Sequence, residues 1–287
     1  YEYGGRSVAP ALFRMEQALH GRGSEGVGRE PVDGVGGDHD ELAAADGTAG
    51  RPQTLEQLAL DGAVVHGGHD AFIVVGQTEA VTLLYVFDMD DVLYDYDWRT
   101  RMEDLTAITG HDLHELRRRW WISGMEWEAE AGDPSDPDEY LRRVTGIIGA
   151  EISREEWVRI RSEATQPRPA ALAAVRRAAE LGRVALLTNN GILIHEHLHE
   201  VAPELVPIMG RENMHASAAF GARKPDPLVY ERILAHYGTA AADTFFTDDR
   251  PENIAGAESI GITGHLYVDE ASLLAAIEAF AAEARAA

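Results

Sequence analysis

The sequence predicts an α/β protein: a parallel-sheet core, residues 81–97 and 167–287, interrupted by a helical insertion, residues 98–166. Three observations carry this. Leu83-Leu84-Tyr85-Val86-Phe87 is a continuous apolar run, the pattern of a strand buried on both faces, and it ends abruptly in Asp88, Asp90 and Asp91. From Pro167 onward, helical and strand-like stretches alternate with short connections, as in a parallel sheet. Between these parts lies a long stretch with helical periodicity that contains all five tryptophans.

Residues 1–80 read differently. They hold 15 of the 28 glycines, a density that disfavours regular structure. Ser24 to Gly50 is rich in Gly, Asp and Ala and has no period. Leu55–Leu60 is expected as a short helix and Ala71–Gly76 as a strand. The region is expected to be a flexible extension, or sequence upstream of a natural start near Val81, with a separate N-terminal module as the alternative.

From there each element has a local reason. Strand Thr82–Phe87 leads into the aspartates. Helices are expected at Arg99–Thr109, Asp112–Trp120, Pro137–Ile148 and Arg154–Ala164, the last opened by a capping box of Ser153 and Glu156. Trp98, Trp120, Trp121, Trp127 and Trp157 supply the bulk that a small helical core needs, and one of the adjacent pair Trp120 and Trp121 could face a cleft. The acidic stretch Glu126 to Glu139, broken by Pro134 and Pro137, reads as a solvated loop, with Glu126 or Glu128 a candidate to meet a substrate's leaving group.

A helix Pro169–Leu181 is stopped by Gly182. Strand Val184–Thr188, helix Leu193–Val201 and a short strand Met214–Ala216 follow. Asp226 is placed to cap helix Leu228–Tyr237, with Pro227 in its first turn. Strand Thr244–Thr247 ends in Asp248 and Asp249, a helix begins near Pro251, and strand Ile262–Val268 and helix Ala271–Ala284 complete the chain.

The net charge of −24 argues against coating nucleic acid or an anionic membrane, both of which demand Lys and Arg. An anionic substrate would need a local cation to draw it in. There are no cysteines, which excludes thiolate chemistry and suits the cytoplasm. No apolar stretch is long enough for a membrane span. Oligomeric state is not legible.

In a parallel sheet the carboxyl ends of the strands share one edge, where ligands bind. That edge would gather Asp88 and Asp90, Thr188 and Asn189, Lys224, and Asp248 and Asp249. Asp88 and Asp90 stand two apart and share a side, so they repel unless a cation or a shared proton intervenes; a hard ion such as Mg²⁺ fits carboxylates. The economical chemistry is phosphoryl transfer to an aspartate. One carboxylate attacks phosphorus, a neighbouring carboxylic acid protonates the leaving oxygen, and cations neutralise the phosphoryl oxygens. Alone, each group has a plainer reading: a solvated turn at Asp88, a helix cap at Asp248 and Asp249, a surface lysine at Lys224. His195 and His199 stand four apart on one helix face, a zinc-compatible spacing with no third ligand; a solvated helix face is favoured.

The motifs FDMDDVL, LLTNNG, ARKPDPLVY and FFTDDRPENIAGA occur in this order. Together they resemble the haloacid dehalogenase-like superfamily of hydrolases, from about Val81 to the C-terminus. The last motif with ESIGITG is most similar to the subgroup that contains sugar-phosphate phosphatases. The resemblance implies a Rossmann-like core with a helical cap, and a Mg²⁺-dependent phosphatase acting on a small phosphorylated metabolite. By motif, Asp88 would be nucleophile and metal ligand. Asp90 would be general acid/base, its main-chain carbonyl touching the metal. Thr188 and Asn189 would bind phosphate, and Lys224 would bridge Asp88 and phosphate. Asp249 would be the main acidic metal ligand, supported by Asp248. The family often has Gly where Asp91 stands. A metal-independent 2-haloacid dehalogenase is the rival enzyme, disfavoured by the presence of Asp90. A non-catalytic binding protein on the same fold is the other alternative.

Overall fold

The computed structural model describes residues 64–68, 71–75 and 82–286. The chain divides into two compact units, Tyr1–Gln77 and Thr78–Ala287. In the first, β1 (Val64–Gly68) and β2 (Ala71–Val75) pair antiparallel, from Val64 opposite Val75 to Gly68 opposite Ala71. The helix expected at Leu55–Leu60, and the expectation for most of residues 1–80, lie outside the described residues.

The second unit opens with β3 (Leu84–Phe87), followed by β4 (Tyr94–Tyr96) and helix α1 (Trp98–Thr109). Helix α2 (Leu113–Leu116) runs into a π-helical turn, Arg117–Trp121, where one uniform helix was expected. Helices α3 (Met125–Glu130), α4 (Pro137–Ile148) and α5 (Arg154–Glu163) follow. Asp136 and Ser153 cap α4 and α5 through their side chains; of the expected capping box only the Ser153 half forms, because the Glu156 carboxylate accepts from Arg159. Strand β5 (Thr165–Pro167) then pairs antiparallel with β4. The helical insertion thus leaves and re-enters the core through adjacent strands. These two strands were not anticipated, being three residues each and too short to show alternation.

The chain continues through α6 (Pro169–Ala179), β6 (Arg183–Thr188), α7 (Ile192–Val201), α8 (Val206–Met209) and β7 (Met214–Ala216). It ends with α9 (Pro227–Tyr237), β8 (Thr244–Asp248), α10 (Pro251–Glu258), β9 (Thr263–Leu266) and α11 (Glu270–Ala286). Asp226 caps α9 as expected, accepting from the Leu228 amide at 3.0 Å. Gly182 is needed for a different reason than a helix stop: a Cβ there would overlap the Leu83 carbonyl oxygen.

The sheet is five-stranded in the order β7-β6-β3-β8-β9, with every neighbouring pair parallel. Successive residues of β3 enter opposite cores. Tyr85 and Phe87 pack in the cluster shared with α6, α11 and the insertion, while Leu84 and Val86 pack against α9 and α10. Burial on both faces explains why the strand reads as an unbroken apolar run. Because the chain goes from β3 to β6 on one side and later to β8 on the other, the end of β3 is the switch point of the sheet.

Candidate active site

Asp88 is the first residue past β3, and its amide donates to the Thr247 carbonyl of β8 at 3.0 Å. Phe87 lies opposite Thr247 in the register, so Asp88 falls level with Asp248 on the neighbouring strand. Lys224, in the loop before α9, inserts its ammonium between them. Nζ lies 2.7 Å from Asp88 Oδ1 and 2.6 Å from Asp248 Oδ2. Lys224 is 1 % exposed and Asp248 0 %. Asp248 also accepts from the Arg250 amide at 2.9 Å and from Asn253 Nδ2 at 2.9 and 3.0 Å. It therefore bonds the first residues of α10 and belongs to the carboxylate cluster at once; the two readings of Asp248 are compatible.

Asp88, Asp248 and Asp249 can each bring a carboxylate oxygen within 4.8 Å of the others. Charge in this cluster is unbalanced. Burial first, then Asp248, push the Asp88 carboxyl well above the usual range, and Lys224 only partly opposes them. Burial and then Asp248 push Asp249 up to about 7. Lys224 is held protonated: burial works against its charge, but Asp248 and Asp88 outweigh it. One buried ammonium serves three carboxylates, and a hard divalent cation fits the deficit and the oxygen donor set. Among the described residues Asp88 Oδ2 takes no hydrogen bond, which leaves it open to a ligand.

Asp90 is held from outside the core. Arg161 of α5 is 1 % exposed, and its Nη2 lies 2.6 and 2.7 Å from the two Asp90 oxygens. Arg161 also donates to Thr165 and lies 4.3 Å over the Tyr96 ring, so it is fixed by both strands that join the insertion to the core. Asp91 has φ +59°, the left-handed region where Gly is favoured, which gives the Gly-for-Asp91 difference a backbone reason. Its carbonyl is tied by Arg168.

Thr188 ends β6 beside β3, and Asn190 Nδ2 donates to its Oγ1 at 3.0 Å, leaving the hydroxyl proton for another acceptor. The Asn189 side-chain amide pairs with the Lys224 backbone. It donates to the Lys224 carbonyl at 3.0 Å and accepts from the Lys224 amide at 2.9 Å. This reciprocal pair fixes the backbone that carries the central ammonium.

Sequence reasoning missed Arg161, Asn190 and Asn253. The two asparagines sit inside the quoted motifs and were legible as polar groups; Arg161 left no local signal. The acidic stretch was misread. Its first part forms α3, with Glu126 buried and Glu128 exposed, because Glu126 accepts hydrogen bonds from Trp120 and Tyr140. Trp120 and Trp157 are buried and packed together, as expected of core tryptophans. His195 stacks on His215, and its Nδ1 accepts from the Ala216 amide, so it is not a solvated side chain. Among the described residues the carboxylate cluster is the one group arranged to hold a metal. None of their helices is long and apolar enough to cross a membrane.

Residues 83–261 match the family model described as haloacid dehalogenase-like hydrolase. The chain is 30 % identical over 193 residues to the phosphatase MT3486 of Mycobacterium tuberculosis, covering 63 % of this chain and 85 % of that protein. It is 29 % identical over 184 residues to a sesquiterpene phosphatase, astK, of Aspergillus oryzae, covering 62 % and 86 %. Among solved structures, a HAD family enzyme of Bacteroides thetaiotaomicron, in complex with magnesium and inorganic phosphate, superposes with TM-score 0.54. That match has 19 % identity and covers 64 % of this chain and 93 % of the other, a likeness of fold. With the parallel sheet, the switch-point aspartate and a family match over most of the second unit, the chain belongs to the haloacid dehalogenase-like hydrolases.

Proposed function

We propose that residues 81–287 form a Mg²⁺-dependent phosphatase that hydrolyses a small phosphorylated metabolite through an aspartyl-phosphate. The observation that carries this is the buried Lys224 ammonium shared by Asp88 and Asp248, with Asp249 in ligand reach and Thr188 at the end of the next strand. The names of the related phosphatases support the same reaction class.

Asp88 attacks phosphorus through a carboxylate oxygen as the bond to the leaving oxygen breaks. Asp90 in its acid form gives that oxygen a proton, and the alcohol departs. Asp90 then takes a proton from water, whose oxygen attacks the phosphorus of the acyl phosphate. Inorganic phosphate leaves and Asp88 is regenerated. Thr188 donates to a phosphoryl oxygen, and Lys224 neutralises Asp88 and a phosphoryl oxygen in turn. Asn189 acts by fixing Lys224 and Arg161 by orienting Asp90. Asp88, Asp248, Asp249 and the Asp90 carbonyl would hold Mg²⁺. The bound ion would supply positive charge against the phosphoryl oxygens. The helical insertion, residues 98–166, acts as a cap that excludes water and selects the substrate.

The test is hydrolysis of p-nitrophenyl phosphate with Mg²⁺ and with chelator, beside Asp88→Asn. Activity that needs Mg²⁺ and is lost in Asp88→Asn is the expected result. Halide release from 2-haloacids without metal, and no ester hydrolysis, would replace this reading with a dehalogenase.

A further inference from the structure

The loop that carries Lys224 is held from two sides. From the sheet side, Asn189 pairs with both backbone groups of Lys224. From the insertion side, the neighbouring residue is held: Arg223 Nε donates at 2.6 Å to Oε2 of Glu130, the last residue of α3. The contact spans 93 residues of sequence and meets the loop one residue before the central ammonium. The Glu130 side chain is 14 % exposed and that of Arg223 27 %. Burial pushes the Glu130 carboxyl up to about 7, and Arg223 is the strongest force against that push. Among the described residues neither side chain has another hydrogen-bond partner.

The end of α3 is seated on the core without this pair. Ser217, fully buried in the turn Ser217–Phe220, donates from Oγ to the Glu130 carbonyl at 2.7 Å. A Cβ on Gly132 would stand 2.9 Å from the Ala218 carbonyl oxygen and 3.1 Å from Gly221 Cα, so chain packs on chain there. Ala129 Cβ lies 3.4 Å from where a Cβ of Gly191 would sit, just past Thr188 and Asn189. A buried ion pair adds little to such seating, because the desolvation of both charges offsets most of their attraction. What it adds is direction. The Arg223 carbonyl accepts from the Asp226 amide at 2.9 Å, so the loop turns tightly, and a shift of Arg223 passes to Lys224 through one peptide unit.

We propose that Glu130 is a positioning residue for Lys224: through Arg223 it sets the place of the ammonium between Asp88 and Asp248. The insertion then takes part in the chemical step and does not only cover it. Lys224 without the pair keeps its charge but loses its fixed geometry. Stabilisation of a transition state depends on charges held in place beforehand, and a displacement of about 1 Å caused from a distance can cost about a hundredfold in rate. The proposal rests on the phosphatase reading, since that reading gives Lys224 its role.

The experiment measures kcat and KM for p-nitrophenyl phosphate in the full chain with Mg²⁺. Glu130→Ala and Arg223→Met each remove the pair. Each is expected to lower kcat about tenfold to a hundredfold while KM moves by less than about threefold. The double variant is expected to match the worse single variant within about threefold, because the two residues act as one unit. Ser217→Ala removes the other bond to the same helix end, one that does not lead to Lys224, and its kcat is expected to stay within about threefold of the wild type. Thermal unfolding checks that the variants fold; were Glu130→Ala to unfold, Arg223→Met, at the more exposed position, decides with the same reading. An unchanged kcat in a folded variant, a loss confined to KM, losses that multiply in the double variant, or an equal loss in Ser217→Ala overturns the positioning role. Any of these beside an active wild type overturns that role alone, whereas a wild type that turns over no phosphate ester overturns the phosphatase reading with it.

Discussion

Lys224→Met isolates the electrostatic argument from any choice of substrate. Methionine is close to lysine in length, so the change removes the ammonium and little volume. Nζ lies 2.7 Å from Asp88 and 2.6 Å from Asp248, in surroundings almost closed to solvent. Breaking a buried pair by deleting one partner costs about 3–5 kcal/mol, because the remaining charge stays desolvated. At about 2–4 °C per kcal/mol for a unit of this size, the melting temperature should fall by about 6–20 °C in chelator. The pH dependence has a definite sign. Lys224 already opposes the upward push on the Asp88 carboxyl, so its loss raises that carboxyl further. A carboxyl raised on folding takes its proton more readily in the folded state, so its destabilisation grows as pH rises above the unfolded value. The drop should therefore be larger at pH 8 than at pH 5, and Mg²⁺ should raise the variant's melting temperature more than the wild type's. A drop below about 3 °C at pH 8, or equal drops at both pH values, would refute the shared-ammonium reasoning.

Other outcomes follow from single contacts. Arg161→Met leaves Asp90 without its cation and Thr165 without its donor; denaturant unfolding should show a loss of about 2–3 kcal/mol. Gly256→Ala places a Cβ against the Pro225 carbonyl, next to Lys224. It should cost about 1–3 kcal/mol and lower kcat, whereas unchanged kinetics would show that α10 yields without moving Lys224. His215 is lowered to about 4 by burial, then by His236 and His195. A histidine depressed on folding stays neutral while the unfolded chain takes up protons, so stability is full above about pH 6.5 and falls toward pH 4, by on the order of 3 kcal/mol. Thermal unfolding of His215→Gln should show a flatter profile over that range.

The core of this protein was legible because its signals are local. A strand buried on both faces must be apolar at every position, so Leu83 to Phe87 announces itself without reference to any partner. Asp226, Pro227 and Ser153 act within a turn of the helices they open, and such caps are written in adjacent residues. The order of strands and helices then brings the carboxyl ends to one edge, which is why Asp88, Thr188, Lys224 and Asp248 could be named together.

What tertiary structure alone decided depends on residues far apart in the chain. Glu126 looked like part of a solvated acidic run, since nothing in its neighbours shows that Trp120 and Tyr140 will bury and bond it. Asn189 stands beside Thr188 in the sequence, but nothing nearby shows that its side-chain amide also pairs with the Lys224 backbone, 35 residues away. Arg161 reaches Asp90 across 71 residues, and β4 finds β5 across the whole insertion. Amino-acid patterns record what a residue needs from its own helix or strand. Which distant group meets a buried charge is set by how those elements pack, and in this protein that choice places Arg161 on Asp90.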